Sequence, residues 1–186
     1  RGEVDVTGNY TFGESVDGKL TVTKRPVTIE SADLNKVYDG IALTNGETAL
    51  KTETGWVEGE GATYTFTGSQ LDPGSSSNAF TYKLNSNTKE GNYNITTKAG
   101  KLTVTKIVAP IVITADSDEK VYDGSALTKD GFTYTEGVLA AGDELTAVVE
   151  GSQTDAGNSA NVVKSYKVMR GEVDVTGNYT FGESVD

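Results

Sequence analysis

The stretch Gly100–Lys106 reads GKLTVTK, and its alternation decides the fold. Leu102 and Val104 alternate with threonines, the period-two pattern of a half-buried strand. The same seven letters stand at Gly18–Lys24. TYTFTG at Thr63–Gly68 sets Tyr64 and Phe66 against threonines in the same way, and ELTAVVEG at Glu144–Gly151 takes that place later in the chain. Asp17-Gly18, between TFGESV and KLTVTK, is a dipeptide that favours a type I′ hairpin turn. Only VLAAGDEL at Val138–Leu145 has the composition for a turn or two of helix, and it is too short to stand alone. With 22 glycines and many threonines and valines, the reading is all-β.

Self-similarity gives the organisation. KVYDGIALT at Lys36–Thr44 returns as KVYDGSALT at Lys120–Thr128. GSQLDPG at Gly68–Gly74 returns as GSQTDAG at Gly151–Gly157, and GNY occurs at Gly8, Gly91 and Gly177. The unit is about 80–85 residues, the size of a small β module that folds independently. Pro26 and Pro110 stand at matching places between a TVTK strand and the next apolar strand, where a residue without an N–H suits a joint. The expected organisation is therefore three segments. Residues 1–24 are the tail of a preceding repeat, 25–108 the first complete module, and 109–186 a second module lacking its last strand.

RGEVDVTGNYTFGESVD stands both at 1–17 and at 170–186, letter for letter. Cores tolerate exchange of similar apolar residues, so folding does not require such identity; it marks recent duplication within a tandem array. Each module is expected to be β-sandwich-like, with a β-grasp carrying one short helix as the alternative. The expected core is Val27, Ile29, Tyr38, Leu43, Phe66, Leu102 and Val104, with Ile111, Ile113, Tyr122, Leu127 and Val149 at matching places.

Composition excludes several function classes. A net charge of −11 with no basic cluster argues against nucleic-acid binding. Without cysteine or histidine the usual serine or cysteine triads are excluded, and no imidazole is present to act as base or pH switch. GWVEGEG lacks the lysine and spacing of a phosphate loop. No apolar stretch approaches a membrane span, so no membrane insertion is expected in this segment. A small exported eukaryotic module would carry disulfides, so an exported chain without cysteine reads as bacterial. The expectation is not an enzyme.

KVYDG, GSQxDxG, GNY and GKLTVTK, recurring in order over the whole chain, resemble the glycine-rich, mostly-β repeats called MBG or YDG domains. The resemblance implies tandem repeats of large bacterial cell-surface proteins, often adhesins, with an extracellular location and no catalytic residues.

The YDG motifs, Tyr38-Asp39-Gly40 and Tyr122-Asp123-Gly124, have a ligand-binding reading in which the aspartates are metal or ligand groups. The reading adopted is structural: aspartate bonds nearby amides, glycine supplies a positive φ, and tyrosine packs on the core. No cofactor is expected. Calcium is the one metal that an oxygen-only ligand set could hold, and Asp116, Asp118 and Glu119 in ADSDEK are its candidates. Trp56 has the chemistry of a sugar platform, but its counterpart by register, Leu139, points to an apolar contact.

Two functions follow. In the first, the modules are stalk or spacer repeats that project a distal adhesive region. In the second, the repeats themselves bind host glycans or matrix proteins weakly, many sites adding up. The spacer is favoured because no exposed aromatic cluster recurs at equal phase. The expected partners are neighbouring repeats of the same protein, and a second copy of the chain joined head to tail through residues 1–24 by strand complementation.

Overall fold

The structure, a computed structural model, describes residues 2–46 and 50–185. Arg1 and Asp186, which end the duplicated stretches, lie outside the described residues. Strands dominate, and no helix among the described residues exceeds three residues. The all-β expectation holds. VLAAGDEL, the expected helical turn, instead makes one tight turn at Ala141-Gly142, with Gly142 at positive φ, and then runs into a strand.

The first module begins with β1 (Arg25–Ser31), β2 (Leu34–Val37), β3 (Leu43–Thr44) and β4 (Leu50–Thr54). It continues with β5 (Ala62–Phe66), β6 (Ser69–Gln70), β7 (Gly74–Asn78) and β8 (Phe80–Leu84), and closes with β9 (Tyr93–Lys98) and β10 (Gly100–Thr105). Two three-stranded sheets organise it. In one, β1 lies between antiparallel β4 and parallel β9; in the other, β10 lies between parallel β2 and antiparallel β7. The parallel partners β1 and β9 thus lead together into the parallel partners β2 and β10. Two antiparallel pairs, β5 with β8 and β3 with β6, complete the module.

The second module repeats this plan with β11 (Pro110–Ile111), β12 (Ile113–Ala115), β13 (Phe132–Tyr134), β14 (Glu144–Glu150), β15 (Val162–Arg170), β16 (Val173–Asp174) and β17 (Thr180–Phe181). Parallel β11–β17 matches β1–β9, antiparallel β12–β13 matches β1–β4, and β14–β15 matches β5–β8. The segments matching β2 and β7, residues 118–121 and 157–161, form no strand. In the first module those strands are held by β10 between them, and among the described residues no such strand lies between the two segments here.

Each module has its own core. Val27, Ile29 and Tyr93 centre the first, with Trp56, Tyr64, Phe80 and Ile95 packed around them. Ile111, Ile113, Leu145, Val168, Val175 and Tyr179 centre the second, which also takes in Tyr38 and Val104 of the first module. Of the expected core, Val27, Ile29, Tyr38, Leu102, Val104, Ile111, Ile113 and Val149 are buried, while Leu43, Phe66 and Leu127 are half-buried. Tyr122 is a correction, being 64% exposed where Tyr38 is 2%. The cause is external: the tyrosine at this position is covered by the following module, not by its own.

Residues 2–24 are exposed and contain no strand. The hairpin expected at Asp17-Gly18 does not form. Its counterpart, Ala99-Gly100, shows why: β9 and β10 are not paired with each other but enter different sheets. Glycine serves close approach there, since a Cβ at Gly100 would lie 2.3 Å from the Ala32 carbonyl oxygen.

Candidate functional site at the module joint

The recurrent motifs meet where the modules meet. The chain from β10 runs through Lys106–Ala109 into β11, and Ile107 donates its N–H to the Asn178 carbonyl while accepting from the Thr180 hydroxyl. Tyr38, held by its N–H on the Thr105 carbonyl, extends beyond its own sheet into the second core. Its hydroxyl donates to Asp143 Oδ2 at 2.8 Å, and its ring meets Tyr179 edge-on at 5.7 Å. Asp143 is fully buried; it also accepts from the Tyr179 hydroxyl, and its Oδ1 takes Arg170 Nε at 2.9 Å. The Arg170 guanidinium lies 5.1 Å from the centre of the Tyr38 ring, within cation–π range. A buried carboxylate survives only when its lone pairs are filled, and here three donors from both modules fill them.

Gly40 completes the plug. Its φ of +82° is the left-handed region that L side chains avoid, and a Cβ there would lie 3.1 Å from the Ala141 carbonyl oxygen of the next module. A second tie joins motif to motif: Asn178 of GNY donates to Asp72 Oδ1 of GSQLDPG at 2.8 Å. So YDG and GSQxDxG present side chains from the end of one module, and GNY receives them on the next.

The turn chemistry read from the motifs is present in both copies. Asp39 Oδ1 accepts from Lys36 Nζ and the Ile41 N–H; Asp123 Oδ1 accepts from Lys120 Nζ and from Ser125. The lysine bond, then the amide bond, holds each carboxyl below its ordinary range. Gln70 and Gln153 each donate to the carbonyl two residues on, at Asp72 and Asp155, with 2.7 Å in both modules. These are local devices that form with or without a following module. The tyrosine is what differs.

A matching socket exists on the first module. Tyr93 of its GNY donates to Glu60 and accepts the Val57 N–H, as Tyr179 donates to Asp143 and accepts the Ala140 N–H. Here Trp56 lies edge-on to Tyr93 at 4.9 Å, its indole N–H on Glu53. Trp56 and Leu139 are both packed against their own cores, which fits an apolar contact.

Hydrogen bonding to Glu60 and burial raise the Tyr93 pKa above 10.0. Burial first, then the carboxylate neighbour, pushes Tyr179 and Tyr64 up further. A raised folded value places the associated stability below pH 10 and removes it as pH climbs through the folded pKa. Tyr64, Tyr93 and Tyr179 should therefore ionise late and together with unfolding in an ultraviolet alkaline titration.

Asp116, Asp118 and Glu119, the calcium candidates, line an open groove of about 560 Å³ between residues 115–122 and 151–161. Asp118 Oδ1 accepts the Glu119 N–H, and Asp116 engages through its backbone with Gly131 and Asn161. Among the described residues no group of three or more acidic side chains converges to hold a metal ion. Sequence reasoning missed Asp143, Arg170 and Asn178. For Asp143 the signal was an acid (Glu60, Asp143) just before β5 and β14, which no motif marks; Asn178 lies in GNY and Arg170 in the duplicated stretch, but neither pattern assigns them a partner.

Comparison of the chain with protein-family models, curated proteins and solved structures finds no match in any of the three.

Proposed function

We propose that this chain is a structural stalk or spacer segment of a bacterial cell-surface protein, built from repeats that set the distance and direction of a distal adhesive region. The observation that carries the reading is the joint: the Tyr38 plug, seated on Asp143, Tyr179 and Arg170 and backed by the Asp72–Asn178 bond. A spacer needs neighbours that hold one another at a fixed angle, and Tyr38, Asp72 and Asn178, each from a repeated motif, are spent on that contact. An adhesive repeat would instead keep its recurrent residues facing solvent. The extracellular location and the non-enzymatic role belong to the same reading, supported by the likeness of the motifs to YDG-type repeats and by a composition without cysteine or histidine.

A glycan and matrix-protein array probed with the 186-residue chain tests it. The spacer reading expects no saturable binding. Saturable binding that survives at physiological salt would transfer the function to the repeats themselves.

A further inference from the structure

Two copies of one loop differ at a chemically decisive place. In GSQLDPG and GSQTDAG, Gln70 and Gln153 donate Nε2 to the backbone carbonyls of Asp72 and Asp155, at 2.7 Å in each. Gly74 and Gly157 leave room for that amide at φ +150° and +153°, where a Cβ would lie 3.3 and 3.5 Å from it. The carbonyl so held belongs to the peptide bond that follows the aspartate. In the second module that bond leads to Ala156; in the first it leads to Pro73. Asp72-Pro73 is the chain's one Asp-Pro pair, since Pro26 follows Arg25 and Pro110 follows Ala109. Its nitrogen is that of a tertiary amide and departs as a secondary amine. A carboxylate nucleophile, a polarised carbonyl and a competent leaving group thus stand on adjoining atoms.

We propose that Asp72–Pro73 is a self-cleaving bond, activated by Gln70 and latched by Asn178 of the next module. An Asp72 carboxylate oxygen attacks the Asp72 carbonyl carbon and forms a cyclic anhydride. The C–N bond to Pro73 breaks, and the proline nitrogen takes a proton from solvent and leaves as an amine. Water then opens the anhydride, giving a free α-carboxyl at Asp72, its side-chain carboxyl again, and Pro73 as a new N-terminus. The balance is the hydrolysis of one peptide bond, with no redox change and one event per chain. Negative charge gathers on the Asp72 carbonyl oxygen during attack, and Gln70 Nε2 already donates there. Asp72 is exposed, so water reaches the anhydride.

Asn178 is the latch. Its Nδ2 donates to Asp72 Oδ1 at 2.8 Å across the joint, holding the carboxylate toward the next module and away from its own carbonyl. Attack requires the side chain to turn back, and that breaks the bond to Asn178. Gln70 acts within its own loop, so the bond stays activated whether the joint is closed or open; only the latch reports the joint. Asn178 is therefore a positioning residue, acting through Asp72. Cleavage would not scatter the module. The cut falls between β6 and β7, and the pieces on either side of it remain joined by β1–β9, β2–β10 and β5–β8. What is lost is covalent continuity along the chain, next to the contact whose opening allows the cut.

Intact-mass spectrometry of the full chain, incubated in mildly acidic buffer and sampled over days, tests the proposal. The expected pieces are residues 1–72 and 73–186, with no cut after Asp155. Asn178→Ala should speed their appearance about tenfold, the range for losing one hydrogen bond to a charged group. Asp143→Ala, which loosens the same joint from its other side, should speed it too. Adding Gln70→Met to Asn178→Ala should slow it again by about tenfold or more, as removal of an oxyanion donor does. Pro73→Ala, the residue that the second module already carries here, should abolish it. The circular dichroism of the cleaved chain should match that of the intact one. No cut at Asp72–Pro73 in either joint variant overturns the proposal. So does a cut whose rate ignores Asn178 and Gln70, or one that falls equally after Asp155.

Discussion

Gly100→Val should unfold the first module, at a cost above about 4 kcal/mol, the range reached when a new side chain is forced into fixed backbone. A Cβ at this position would lie 2.3 Å from the Ala32 oxygen, 2.5 Å from the Ser31 oxygen and 2.6 Å from the Ala32 carbonyl carbon. All three are main-chain atoms at the crossing from β1 to β2, where Ser31 Oγ also accepts the Gly100 N–H and donates to the Asn78 carbonyl. Nothing there can rotate away. Leu102 and Val104 follow directly and would leave the core with the strand. Urea unfolding read by far-ultraviolet circular dichroism gives the answer. A loss under about 1 kcal/mol, the range of an ordinary surface change, would mean that β10 does not enter its slot as described.

The second large effect is at the joint. Asp143→Ala removes the common acceptor of Tyr38, Tyr179 and Arg170, leaving two buried hydroxyls and a partly buried guanidinium without it. Breaking a buried pair from one side costs about 3–5 kcal/mol, and Arg170 keeps some access to water, so about 3 kcal/mol is expected. The loss should appear as decoupling: the first module, whose core does not contain Asp143, melts separately from the second in calorimetry. Asp123, with the same residue type but an exposed position, serves as the control, and its alanine variant should leave the second module's melting within the scatter of surface changes.

What the sequence shows and what it hides divide along the reach of each interaction. Alternation in TYTFTG, ELTAVVEG and GKLTVTK marks β5, β14 and β10, because side chain and backbone agree locally there. The YDG turns were legible for the same reason: Asp39 and Asp123 bond residues two to three positions away. The duplicated stretch separates local from distant causes within one molecule. Both copies form the three-residue turn, Thr7–Asn9 and Thr176–Asn178, each with aspartate accepting a threonine N–H. Only the second copy forms strands and buries its tyrosine, because only it has β11 and β15 beside it.

The joint was hidden because its determinants lie far apart in the chain. Tyr38 and Asp143 are 105 positions apart, and Asp72 and Asn178 are 106. One YDG tyrosine is buried and the other exposed with the same neighbours in sequence, so no local pattern separates them. The Asp17-Gly18 turn misled for a related reason. A D-G pair carries a strong hairpin preference, but the matching Ala99-Gly100 shows that the glycine is required by the distant Ala32 carbonyl.

The central claim is that recurrent motifs lock successive modules into one rigid body. Residual dipolar couplings of backbone amides in residues 25–185, measured in a dilute aligned medium, test it most directly. The account predicts that one alignment tensor fits the amides of both modules. Two tensors of different magnitude, one per module, would show the modules reorienting independently and would contradict it.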